Sequence, residues 1–318
     1  MFADFYGLTA LPFQLTPDSR FFFDSDGHSK ALAHLTYGLQ QGDGFIVITG
    51  DVGAGKTMLV EHLWSHLDTN EYVAAKISST QLSPTGLLRM IASAFGLSHQ
   101  RDDKARLLNG LAEFFGSNYS ARKRTLIVID EVQNLPFSAL EELRMLSNLA
   151  TGQHFSLQLF LLGQPQFRSI LSSQNAEQLR QRVFTSYHLG PLNEFEVQRY
   201  IEHRLRVVGW SRDPCFGDDV FKLIYRYTQG TPRKINLLCS RLLLWGFLEK
   251  SHIIDKGHVE NVAAEWISEM GAAPRGNAST PSDLALRMDE LERRLSRHDV
   301  AIRRALASKI NPVPFDAQ

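Results

Sequence analysis

Apolar residues follow two patterns along the chain. Up to about position 190 they form short runs with few polar interruptions, separated by stretches with helical spacing; beyond that only helical spacing remains. The runs lie at 45–48, 72–77, 125–129, 157–162 and, more briefly, 187–189. A branched, uninterrupted run such as Leu126-Ile127-Val128-Ile129 predicts a strand buried on both faces, as in a parallel sheet. Between the runs, helices are predicted by Leu32, Leu35 and Leu39, by 58–67, by Leu87, Leu88, Ile91 and Phe95, and by Leu107, Leu108, Leu111 and Phe115. Ser83-Pro84 supplies a cap and a proline at the first helical position. Further helices are expected at 136–148 and 165–171. Alternating strands and helices make residues 1–190 an α/β domain with a mainly parallel, five-stranded sheet.

After 190 the pattern changes. Helices are expected at 196–208, 218–228, 234–249 and 258–269, with no clear strand between them, so 191–270 reads as an all-α domain. Residues 271–282 have linker composition. Within 283–308, Leu284, Met288, Leu291, Leu295, His298, Ile302 and Ala305 alternate four and three apart. That spacing suits a coiled-coil seam for self-association or partner docking, and equally an amphipathic helix lying on its own protein. Residues 309–318 form a tail. Near the start, Phe13, Phe21, Phe22 and Phe23 sit among turn formers and are expected to wedge against a domain.

Composition narrows the class. Of 318 residues 43% are hydrophobic and 21% charged, which fits a globular protein rather than a disordered one. Lys+Arg and Asp+Glu both number 34, so bulk charge argues against a non-specific nucleic-acid binder. Two cysteines without C-x-x-C spacing indicate no disulfide framework. No signal peptide or membrane span is expected. The expected location is cytoplasmic, peripheral to the inner membrane only through a partner.

The chemistry gathers on Gly50-Asp51-Val52-Gly53-Ala54-Gly55-Lys56-Thr57, with Met58 continuing into the helix. Strand, glycine-rich loop and helix follow in the order that a phosphate-binding loop requires. Its N–H groups and the helix N-terminus face phosphate oxygens, Lys56 reaches the β- and γ-phosphates, and the Thr57 hydroxyl holds Mg²⁺. The strand at 125–129 ends in Asp130-Glu131, at the edge where open α/β sheets bind ligands. Asp130 is the second candidate for Mg²⁺, and Glu131 is placed to polarise the attacking water. ATP and Mg²⁺ are the expected ligands. His62 and His66 lie four apart but lack the glutamate of a zinc protease.

These motifs, with Gly230-Thr231-Pro232-Arg233 in the helical region, resemble those of an AAA+ ATPase: a P-loop core followed by an all-α lid. Within that superfamily the chain resembles the ExeA/GspA-type secretion ATPases, and most closely those found with exosortase (PEP-CTERM) and exopolysaccharide loci. The narrower likeness rests on Phe5-Tyr6-Gly7-Leu8, Pro12-Phe13, Pro17-Asp18-Ser19-Arg20-Phe21-Phe22, His28, Tyr37-Gly38-Leu39, the 44–50 run and Leu179-Arg180-Gln181-Arg182. The resemblance implies that Arg233 is a lid arginine reaching the γ-phosphate. It implies that Arg180 or Arg182, with Arg182 preferred, is an arginine finger acting on a neighbour, hence a ring or filament. It puts Gln164 where a polar residue senses the γ-phosphate. Phe23, Pro191 and Ile235 are candidate neighbours of the adenine. The implied partner is an unidentified envelope or secretion protein. Two other functions share these motifs: a nucleic-acid-associated AAA+ regulator, and a nucleotide-gated scaffold with little turnover.

Overall fold

A computed structural model describes residues 2–78, 82–98, 103–152 and 155–269. The linker, heptad helix and tail expected from 271 onward lie outside the described residues.

The chain begins with a single helical turn, α1 (Phe2–Phe5), and a long helix, α2 (Asp26–Gln41). There follow β1 (Asp43–Gly50), α3 (Lys56–Ser65), β2 (Tyr72–Ser78), α4 (Pro84–Ala94), α5 (Lys104–Ser120) and β3 (Arg124–Asp130). Then come α6 (Phe137–Gly152), β4 (Leu157–Gly163), α7 (Gln166–Ser172), α8 (Glu177–Arg180) and β5 (Val183–Leu189). The strands form one parallel sheet in the order β2-β3-β4-β1-β5. Every predicted strand is present.

Alternation along each strand explains the layers. Phe45, Val47, Ile127, Ile129, Leu159 and Leu161 point to one face and pack under α4, α5 and α6 through Leu87, Leu111 and Leu143. Ile46, Ile48, Leu126, Val128, Phe160 and Leu162 point to the other and meet Leu35 and Leu39 of α2 and Leu59 of α3. Both faces of the central strands β1, β3 and β4 are covered, which is why these read as nearly continuous apolar runs, whereas the edge strands β2 and β5 stay partly exposed. The predicted cap at Ser83 is present, accepting from Gly86 N–H; Ser25, not expected from the sequence, caps α2 by accepting from His28 N–H. Because β1 lies between β4 and β5, successive connections run in opposite directions from it. The resulting crevice opens beyond its C-terminal end, at Gly50.

The remaining elements are α9 (Glu194–Val207), β6 (Cys215–Phe216), α10 (Val220–Thr228), α11 (Pro232–Leu248), β7 (Ile253–Ile254) and α12 (Lys256–Glu269). The all-helical expectation needs one correction: β6 and β7 pair as a two-residue parallel ladder. Runs so short carry no periodicity of their own, which is why the pattern did not show them.

The helical region, here called the lid, has its own core of Val197, Ile201, Leu205, Ile224, Ile235, Leu238 and Leu242. Tyr6, Leu8, Phe13 and Phe21 are buried in this same core. The Tyr6 hydroxyl donates to the Leu243 carbonyl at 3.2 Å, and Thr9 N–H donates to the Val208 carbonyl at 2.9 Å. The buried Arg204 guanidinium donates to the Pro12 carbonyl at 2.6 Å and lies 4.6 Å from the Phe21 ring centre. A buried cation is tolerated here because its N–H groups meet oxygens. Residues 6–21 thus form a strap on the lid. Phe22 and Phe23 then part company: Phe22 stacks on His62 of α3, while Phe23 meets Tyr200 of α9.

The chain crosses between lid and sheet layers twice, after this strap and after β5. One carboxylate bonds both crossings. Glu196 accepts from Asp26 N–H through Oε1 and from Asn193 N–H through Oε2, each at 2.9 Å. Asn193 returns the bond to Glu196 N–H, completing a capping box at the start of α9.

Candidate functional site: a nucleotide crevice beyond β1

The loop after β1 takes its shape from glycine. Gly53 (φ 83°) and Gly55 (φ 104°) occupy left-handed backbone that L side chains rarely adopt, and Gly55 caps α3. At Gly50 a Cβ would come within 2.6 Å of the Leu189 carbonyl, so only glycine lets β1 and β5 end side by side. The loop therefore presents backbone N–H groups around the N-terminus of a ten-residue helix, a ready anion site.

Lys56 is buried, and its ammonium donates to the carbonyls of Gly50 (2.7 Å) and Asp51 (3.0 Å). Burial holds its pKa below the ordinary lysine value, and the nearby Glu131, Asp130 and Asp51 carboxylates act against that shift. Thr57 donates its hydroxyl to Asp130 Oδ2 at 2.9 Å. Asp130 Oδ1 accepts from Glu131 N–H, also at 2.9 Å. β3 thus delivers its two carboxylates beside the loop after β1, two strands away in the sheet.

Glu131 has left-handed backbone (φ 55°, ψ 39°), an uncommon conformation for a residue with a Cβ. Its carboxylate accepts from Gln164 Nε2 at 3.1 Å. Gln164 follows β4, so the ends of β1, β3 and β4 converge. From the lid, Arg233 in the first turn of α11 donates its backbone N–H to the Gly53 carbonyl at 3.2 Å. Its side chain is exposed beside the loop.

Lys56, Thr57, Asp130, Glu131, Gln164 and Arg233 are therefore brought together, along with Gly50, Asp51, Val52, Gly53, Ala54, Gly55 and Met58 of the loop and its helix. Arg180 and Arg182 are not among them. The Arg182 carbonyl accepts from Phe45 N–H at 2.8 Å, at the opposite end of β1 from Gly50. Five residue steps along the strand separate Phe45 from Gly50, about 17 Å at the usual rise. Arg180 donates to the Leu171 carbonyl at 2.9 Å and lines a cleft of about 270 Å³ with Arg168 and His188. Of the adenine candidates, Ile235 is wholly buried in the lid core, Phe23 packs on the lid, and Pro191 is exposed.

Two contributors were given no role in the site by the sequence, although His28 belongs to the motif resemblance. Gln133, in the turn Val132–Asn134, contacts both Glu131 and Gln164. His28 lies under the loop: a Cβ on Gly55 would sit 2.5 Å from its Nε2. Its Nδ1 pairs with the Ser25 hydroxyl at 2.7 Å, and burial lowers its pKa against the opposing charge of Glu196. A histidine so far ahead of the loop has no diagnostic spacing to it.

Residues 39–171 match the AAA domain family. The fold is that of the AAA+ P-loop proteins. The General secretion pathway protein A of Aeromonas hydrophila is 38% identical over 266 residues, 83% of this chain and 48% of that protein. The chain thus spans about half the length of that relative. Among solved structures, the Cdc6p protein of Pyrobaculum aerophilum superposes with a TM-score of 0.59 at 14% identity, covering 88% of this chain and 90% of its own. The ORC2 protein of Aeropyrum pernix, solved in ADPNP-ADP complexes, gives 0.56 at 15%, covering 79% and 72%. At these identities the structural likeness is one of AAA+ fold.

Proposed function

We propose that the chain is an oligomerising, Mg²⁺-dependent ATPase whose lid movement drives or regulates an envelope secretion system. The observation that carries this reading is the meeting of Lys56, Thr57, Asp130 and Glu131 at one sheet edge with a lid helix resting on Gly53. The Thr57 hydroxyl and the Asp130 carboxylate, 2.9 Å apart, offer the hard oxygen donors that Mg²⁺ takes. Bound Mg²⁺ would neutralise charge on the β- and γ-phosphate oxygens.

The chain's own residues do the rest. Loop N–H groups and Lys56 bind phosphate. Glu131 accepts a proton from the attacking water, and Gln164 orients it. Arg233 reads the γ-phosphate from the lid. Arg182, or Arg180, serves the site of a neighbouring copy, which agrees with neither lying at its own loop. Nucleotide-bound forms of the structurally similar ORC2 protein support nucleotide binding here.

The likeness to a general secretion pathway protein supports an envelope or secretion partner. The finer reading, an exosortase-associated exopolysaccharide system, rests on the motif resemblance alone. Among the described residues no helix is long and apolar enough to cross a membrane. We infer a cytoplasmic protein that reaches the inner membrane through its partner.

The test is steady-state ATP turnover against protein concentration, with light scattering in a non-hydrolysable analogue. A rise steeper than linear, with analogue-dependent assembly, supports catalysis completed by a neighbour. Binding without turnover at any concentration leaves a nucleotide-gated scaffold. Stimulation by DNA that fades with salt moves the function to nucleic acid.

A further inference from the structure

Gln133 has no role in the reading above, yet it touches two parts of the site. Its Nε2 donates to Glu131 Oε2 at 2.5 Å, and its Oε1 accepts from the backbone N–H of Gln164 at 2.9 Å. Gln164 Nε2 donates to the same Glu131 oxygen at 3.1 Å. These bonds close a ring that joins the end of β3 to the end of β4. The partners also fix which way the Gln133 amide faces. Reversed, its oxygen would oppose the Glu131 carboxylate and its NH₂ would oppose an N–H.

The backbone makes room for this ring. A Cβ on Gly163 would sit 2.8 Å from Val132 Cγ1 and 3.1 Å from Gln133 Oε1, so glycine at the end of β4 admits the turn. The left-handed backbone of Glu131 starts that turn. Such strained positions concentrate at functional sites. Both donors converge on Oε2, and Glu131 Oε1 has no hydrogen-bond partner among the described residues.

We propose that Gln133 is a positioning residue for Glu131: it pins Oε2, presents Oε1 to the attacking water, and ties that presentation to Gln164. This rests on the hydrolysis reading given above. In the step it serves, the water oxygen bonds the γ-phosphorus and one water proton passes to Oε1. The bond from phosphorus to the ADP oxygen breaks, its electron pair leaving on ADP. Gln133 itself touches neither water nor nucleotide. Because it also bonds the Gln164 backbone, a displacement at the end of β4 is passed to the Glu131 carboxylate.

The test uses the full chain and the variants Gln133→Leu and Gln133→Glu. Leucine removes both bonds; glutamate keeps an acceptor for Gln164 N–H but loses the donor to Glu131. Both should lower kcat at least about tenfold, while KM for ATP and the Kd of a non-hydrolysable analogue stay within about twofold. A second readout needs no turnover. The side-chain amide signals of Gln133 and Gln164 in a ¹⁵N–¹H spectrum, assigned by their loss in Gln133→Leu and Gln164→Leu, should both move on Glu131→Gln. The proposal is overturned if Gln133→Leu keeps kcat within about twofold of the parent, or if kcat, KM and melting temperature all change together. It is also overturned if the Gln133 amide signal ignores Glu131→Gln. A parent chain that binds ATP and never turns it over fails differently: it removes the hydrolysis reading, and the proposal with it.

Discussion

The backbone N–H of Arg233 donates to the carbonyl of Gly53, so the first turn of a lid helix rests directly on the phosphate-binding loop. A Cβ placed on Gly53 would lie 2.4 Å from Arg233 Cβ, and the backbone there is left-handed. Gly53→Ala should therefore push the lid away and strain the loop together. The expected outcome is ATP affinity weaker by about tenfold or more, from a strain of order 1–2 kcal/mol plus the lost contact. Titration with a fluorescent ATP analogue reads it; wild-type affinity would show that the lid contact is incidental.

Lys56→Ala removes the buried ammonium that the loop encloses. Nucleotide binding should fall by about a hundredfold, in keeping with charge-assisted bonds to phosphate. Calorimetric titration with ATP and Mg²⁺ measures this directly. Because Lys56 also bonds Gly50 and Asp51, a thermal melt of the free variant should accompany it.

Glu131→Gln keeps the shape of the site and removes the proton acceptor. Analogue affinity should stay near that of the parent, while turnover drops by about a hundredfold or more. Turnover equal to the parent would take Glu131 out of the mechanism.

The strand carrying Asp130 and Glu131 and the loop carrying Lys56 and Thr57 were legible because their chemistry is local. A run of branched residues and a fixed glycine spacing each state their own structure. The parts that stayed hidden depend on chain closure. Aromatics at 13 and 21–23 announced burial but not the partner, and a two-residue ladder at Cys215–Phe216 is too short for any period to register. Gln133 and His28 gain their meaning from the register of β3 against β4 and from the entry angle of α2. Neither of these is written in residues nearby.

Glu196 is nearly buried and holds both chain crossings. Glu196→Ala leaves Asp26 N–H and Asn193 N–H without their acceptor and removes half of a capping box. We expect a loss of about 1–2 kcal/mol in urea unfolding, the size of a lost helix cap, since water can reach the two freed N–H groups. A change within about 0.5 kcal/mol, the range of ordinary surface substitutions, would show that the crossings are held elsewhere.

Acid should weaken the fold through histidine. His28, His62 and His203 all have pKa values below the ordinary 6.5, burial being the first cause in each. A lowered folded value means that the unfolded chain takes up protons first as pH falls. Their contribution is then complete above about pH 6.5 and is lost as pH drops through the folded values. Urea midpoints measured from about pH 7.5 down to about pH 5 should decline, and His28→Asn should flatten part of that slope. An unchanged slope would mean that His28 accepts its proton without opposing the fold.

Through Tyr6, Thr9 and Arg204 the strap of residues 6–21 is fastened to the lid. Anything joined ahead of Phe2 is therefore a passenger on the lid. A dye placed there, with a second dye on the solvent face of α6, makes a ruler for the proposed lid movement without altering a residue of the crevice. A bulky fusion at the same end becomes a load on the lid, and the proposed movement should slow under it.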